Sequence, residues 1–154
     1  MSCRLVLSLC AALGVALAAA PADAQSRRAE APALTLDFSG AALAQGVRAG
    51  GSDRVSVTGS GCSGFIASAT PTAAVRADAP GPFSIWATSS TDLTLVVADP
   101  DGQWHCSDDA RGTDPAVTFA RPKRGTYLVW VGTFSAAAAG AQAQLHVGPG
   151  APRW

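Results

Sequence analysis

The sequence contains no asparagine, a single lysine (Lys123) and a single glutamate (Glu30). Without asparagine there is no N-glycosylation site, and turns lose the usual substitute for glycine at left-handed positions. Charged residues fill 14% of the 154 positions, against about 25% in typical soluble proteins. Eleven basic and eleven acidic residues give a net charge of +0. A neutral chain offers no electrostatic case for nucleic acid or for an anionic membrane surface. The spacings C-x-x-C, H-x-x-x-H and G-x-S-x-G are all missing. Their absence argues against zinc, against a dithiol redox centre and against the hydrolase nucleophile elbow. No long amphipathic helix is written either, because its best trace, residues 41–47, is too short to nucleate.

What is present begins with an export signal. Residues 1–4 carry one positive charge, residues 5–20 are apolar or small, and Ala22-Asp23-Ala24 supplies an A-x-A pattern before Gln25. This layout predicts a secretory signal peptide over residues 1–24, cleaved after Ala24. The alternative, a retained anchor, is disfavoured because the apolar run is short for a bilayer. Residues 25–33 read as a disordered linker, 34–148 as the domain and 149–154 as a flexible tail. No membrane span remains after cleavage, and the expected product is a periplasmic or secreted monomer.

Cleavage removes Cys3 and Cys10 and leaves Cys62 and Cys106. Two remaining cysteines in an oxidising compartment predict one disulfide rather than two free thiols.

From residue 34 the pattern is strand, turn, strand. Period-two alternation marks 34–38, 54–58, 83–88 and 116–120. Residues 93–98 (LTLVVA) form the best candidate for a buried strand. Asp99-Pro100-Asp101-Gly102 then makes a tight turn, with a return strand over 103–106. Residues 126–133 set Tyr127, Val129 and Val131 on one face against Leu128 and Trp130 on the other. Residues 135–140 read as a hairpin loop and 141–147 as the closing strand. About eight short strands without a long helix predict an all-β, antiparallel β-sandwich.

Catalytic chemistry is hard to assemble from this inventory. The two histidines beyond the signal are His105 and His146. His105, Ser107 and Asp108 are too close in sequence to converge on an extended strand. Ser63, in Gly61-Cys62-Ser63-Gly64, has no obvious base. The chain is therefore expected not to be an enzyme. The acids are more informative, because Asp92, Asp99, Asp101, Asp108, Asp109 and Asp114 crowd one segment. Turn-building explains most of them. Calcium, which takes several carboxylate oxygens, is the alternative use of Asp99, Asp101, Asp108, Asp109 and Asp114. Trp86 and Trp104 are candidates for an exposed ring that binds a ligand. Core packing is the plainer expectation for Trp104 and Trp130, with Trp104 close to Cys106.

Taken in order, Gly61-Cys62-Ser63-Gly64-Phe65, Thr91-Asp92-Leu93-Thr94-Leu95-Val96-Val97, Asp99-Pro100-Asp101-Gly102, Cys106-Ser107-Asp108-Asp109 and Gly125-Thr126-Tyr127-Leu128-Val129-Trp130-Val131-Gly132 resemble bacterial pre-peptidase C-terminal domains. The resemblance is to the cysteine-containing periplasmic branch and covers about residues 34–147. It implies a jelly-roll-like sandwich without catalysis of its own, accompanying secreted proteases or standing alone. Some relatives bind calcium or a polymer. The chain departs from the pattern after Asp109, where Ala110-Arg111-Gly112-Thr113 replaces the glycines often found there. The functional expectation is a disulfide-stabilised accessory or binding domain for a protein or polysaccharide. A calcium-stabilised carbohydrate- or polymer-binding module is the alternative.

Overall fold

A computed structural model describes residues 35–57, 61–78 and 81–154. The expected signal peptide and linker lie outside the described residues. Among those described, no helix is long and apolar enough to cross a membrane.

Among the described residues eleven strands form two packed sheets: β1 Thr35–Phe38, β2 Leu43–Ala49, β3 Asp53–Arg54, β4 Phe65–Ile66, β5 Ala73–Ala77, β6 Phe83–Thr88, β7 Leu93–Ala98, β8 Trp104–Ser107, β9 Ala116–Phe119, β10 Gly125–Thr133 and β11 Ala141–Pro149. The fold is the expected β-sandwich, with more strands than the turn signals suggested. The smaller sheet runs β2-β11-β6-β9. In the larger sheet β10 is central. Its residues 128–133 pair with β7, which is flanked by β8. The other edge of β10 is shared, with β5 along residues 125–129 and β4 at Thr133. Strand β1 lies outside β5, and β3 outside β4. All pairings are antiparallel except β1 with β5, which is parallel.

The main core lies between the sheets. Phe38, Val75, Phe83, Ile85, Leu95, Tyr127, Val129, Val131 and Leu145 fill it, following the period-two alternation of their strands. Tyr127 is buried with its hydroxyl satisfied. It donates to the Lys123 carbonyl at 2.8 Å and accepts from the Lys123 amide at 3.0 Å, which offsets the cost of burying a phenol. The Asp99–Gly102 turn forms as its residues dictate. Gly102 takes φ +80, and its amide donates to the Asp99 carbonyl at 2.9 Å.

Residues 41–47, dismissed as too short for a helix, overlap strand β2, which pairs with β11 over seven positions from Leu43 to Ala49. That ladder satisfies the backbone where so short a helix could not. Of the strand expected over 54–58, the described residues 54–57 are ladder-paired only at Arg54, through β3. The described residues 55–57 and 61–64, the covering segment, instead lie over the outer face of the larger sheet. There Val55, Ile66, Val96, Ala98 and Trp130 form a second buried cluster, joined by Val57, Cys62, Cys106 and Leu128. Strand β7 is thus covered on both faces, which is why its sequence is apolar without alternation.

Candidate functional site

The covering segment is closed on itself and fastened to the larger sheet and to Asp108. Cys62 is disulfide-bonded to Cys106 of β8, as the cysteine count predicted. The Val55 amide donates to the Gly64 carbonyl at 2.8 Å. The Thr94 hydroxyl donates to the Ser63 carbonyl at 2.5 Å. Gly64 sits at φ +144, where a Cβ would collide with the Thr94 side chain and approach the Thr133 carbonyl oxygen to 2.9 Å. Glycine is what permits this close approach.

The cover stops short of Trp104. That ring is 53% exposed, whereas Trp130 beneath it is 5% exposed. The two ring centroids are 5.1 Å apart. The expectation that both rings would be core therefore holds for Trp130 and is corrected for Trp104. Trp104 and Cys106 point to the same face of β8, but the covering segment shields that face near Cys106 and leaves it open one pleat earlier.

Beside Trp104 lies a groove of about 480 Å³, lined by Arg54, Val55, Ser56, Val57, Ile66, Ser68, Val96 and Gln103 as well. Its size is that of a small ligand pocket or of a cleft for a few side chains. The floor is apolar. The guanidinium of Arg54 lies over the Phe65 ring, 5.2 Å from its centroid. Nothing in the sequence singled out Arg54, Val57 or Gln103. They meet only because β3, the covering segment and the β7–β8 turn converge on one face.

Trp86, the other aromatic candidate, lies on the outer face of the smaller sheet and is 4% exposed. His146 stacks on it with centroids 5.1 Å apart and planes 9° apart. Trp154 approaches it edge-on at 6.4 Å. Its faces are already covered, so it offers a ligand no open ring. Burial pulls the His146 pKa below its ordinary value, with Asp114 opposing.

Four of the five candidate calcium ligands, Asp99, Asp101, Asp108 and Asp114, are engaged separately. Asp99 Oδ1 accepts from the Asp101 and Gln103 amides, each at 2.9 Å, and Oδ2 meets His105 Nε2 at 3.2 Å. Asp101 is ion-paired with Lys123. Asp108 Oδ2 accepts from the Ser63 amide at 3.0 Å, and Asp114 Oδ1 from the Ser89 amide at 3.1 Å. Burial raises the pKa of Asp92, and the charges of Asp109 and Asp108 add to the effect. Among the described residues no three His, Cys, Asp or Glu side chains are placed to hold a metal ion. Asp99, Asp101, Asp108 and Asp114 thus serve turns and tethers.

A catalytic constellation is not assembled around the histidines. His105 is held between Asp99 and the ring of Phe119, 5.0 Å away. His146 is hydrogen-bonded to the Thr88 hydroxyl at 3.2 Å. Among the described residues no serine hydroxyl is hydrogen-bonded to either imidazole, and the hydroxyl that meets one is that of Thr88.

No family model matches the chain, and no curated protein matches it at a significant level. Among the solved structures that the chain is similar to are these two. One is Aeromonas hydrophila PliG, a periplasmic lysozyme inhibitor of g-type lysozyme. It is 16% identical with a TM-score of 0.43, over 77% of this chain and 96% of that one. The other is CorA, a surface-associated copper-binding protein important in copper acquisition in Methylomicrobium album BG8. It is 12% identical with a TM-score of 0.44, over 78% of this chain and all of that one. Likeness of this degree says nothing about ligand or activity.

Proposed function

We propose that the chain is an exported, non-catalytic accessory or binding domain, and that it engages its partner through the groove beside Trp104. The carrying observation is the half-exposed Trp104 ring. It sits on buried Trp130 at the rim of a groove that Val55, Val57, Ile66 and Val96 help to line. A large aromatic held on a rigid strand contributes contact area at little entropic cost, and Trp and Arg are the residues that most often dominate binding energy. The likeness of its ordered motifs to pre-peptidase C-terminal domains supports the same reading. So does the signal-peptide pattern, which fits export to the periplasm or beyond the cell. The disulfide holds one wall of the groove. Calcium has no part in this reading, because Asp99, Asp101, Asp108 and Asp114 are engaged elsewhere.

The test is paired. Purified mature protein is assayed against chromogenic esters and casein, and a panel of peptides and soluble glycans is screened for binding. Binding lost in Trp104→Ala, without turnover of any substrate, is the expected result. Hydrolysis abolished by Ser63→Ala or His105→Ala would overturn the proposal.

A further inference from the structure

We infer that the protein is not the expected monomer but forms a two-fold dimer through the open edge of β2, which runs antiparallel to the same strand of a second copy. The inference is independent of the Trp104 groove. Strand β2 ends the smaller sheet, and β11 pairs with it along all seven residues. Among the described residues, the backbone of residues 43–48 makes no hydrogen bond beyond that ladder. Alternate residues therefore turn their N–H and C=O groups outward, as a template for another strand.

The other sheet ends are blunted. Strands β1, β8 and β9 have four residues each, and β3 has two. Charge marks β1 at Asp37 and β3 at Asp53 and Arg54. Strands β8 and β9 are joined to each other, because the Ala116 amide donates to the Ser107 hydroxyl at 3.2 Å. Strand β2 (LAQGVRA) is longer, with no proline, acid or lysine. Its one charged residue, Arg48, is drawn to the β11 side, where the guanidinium donates to the Gly140 carbonyl at 3.0 Å. None of the usual devices against strand pairing is built into this edge.

Three features favour a second copy as the occupant. Antiparallel pairing about Gly46 sets Leu43 against the partner's Ala49, Ala44 against the partner's Arg48 and Gln45 against the partner's Val47, so no like charges meet. The chain has a net charge of +0, so two copies approach without mutual repulsion. Strands β8 and β9 share one flank of the sandwich, which leaves β1 and β2 on the other. On that flank Leu36 and Leu43 are only partly buried against the main core, and a second copy would cover them. A self-complementary patch of this kind closes as a dimer and does not propagate. Trp104, on β8, lies on the far flank, so each copy keeps its groove.

Gly46 supplies the test. A Cβ there would meet nothing nearer than Gln144 Nε2 at 3.6 Å, an ordinary contact, so a side chain enters without disturbing the fold. In the proposed register Gly46 faces the partner's Gly46 across the two-fold axis, and Gly46→Glu or Gly46→Lys sets like charges opposite each other. Sedimentation equilibrium of the mature protein over a wide concentration range should show a reversible monomer–dimer equilibrium. Each variant should weaken it about fivefold or more, and an equimolar mixture of the two should restore it. Both variants should melt close to wild type, and Trp104→Ala should leave association unchanged. A wild type that stays monomeric, a dimer indifferent to both Gly46 variants, a mixture that does not associate, or a dimer lost in Trp104→Ala would overturn the inference. Binding at the Trp104 groove is read separately, so the first three of these results leave that proposal standing.

Discussion

Removing the Cys62–Cys106 bridge tests how the covering segment is held. The two residues are separated by 44 positions, and constraining a loop of that length lowers unfolded-state entropy enough to contribute about 4 kcal/mol. A domain of roughly 115 residues unfolds with about 240 cal/mol/K of entropy, at about 2.1 per residue. The double variant Cys62→Ser, Cys106→Ser should therefore melt about 15 °C lower than the oxidised protein. The fold should nevertheless survive. The Val55–Gly64, Ser63–Asp108 and Ser63–Thr94 hydrogen bonds anchor the segment independently of sulfur, and the main core lies on the other face of the sheet. Calorimetry or circular dichroism on the double variant, and on wild type with and without reductant, reads the effect. One cooperative transition displaced downward is expected. A shift of only about 2 °C would refute the loop-entropy argument. An unfolded variant would show instead that the segment is integral to the core.

Three further outcomes follow from the same geometry. Trp130→Ala should cost about 3–5 kcal/mol by denaturant melting, because it empties the second cluster, whereas Trp104→Ala should cost under about 1 kcal/mol. Millimolar calcium should leave the melting temperature unchanged; a rise of several degrees would show that the engaged carboxylates rearrange into a site. Because burial holds His146 below its ordinary pKa of 6.5, the unfolded chain binds the proton more tightly. The stability this gives is complete above pH 6.5 and declines as pH falls through the lower folded value. His146→Gln should flatten that slope in melts taken between about pH 8 and 5.

The strands most visible in the sequence were those whose ends are fixed locally. Residues 83–88 and 93–98 are strands at those bounds, because Pro, Gly and Asp turns bracket them. The inward set of β10 followed from alternation alone. Strand β2 was not visible, because Leu43–Ala49 carries Gly46 and few branched residues; its strand state comes from the ladder with β11. The disulfide followed from counting cysteines. The groove did not, since Arg54, Ile66, Val96 and Trp104 are distant in sequence and meet only in the folded sheet. Trp104 was misjudged because proximity to Cys106 says nothing about where the covering segment ends.

The central claim is that Trp104 binds a partner and does not hold the fold. Its most direct test is the affinity of a peptide selected on the wild-type protein, measured by calorimetry against wild type and Trp104→Ala, with the melting temperature of each recorded. The account predicts at least about tenfold weaker binding with a melting temperature within a few degrees of wild type. Unchanged affinity, or weaker binding accompanied by a collapse in stability, would contradict it.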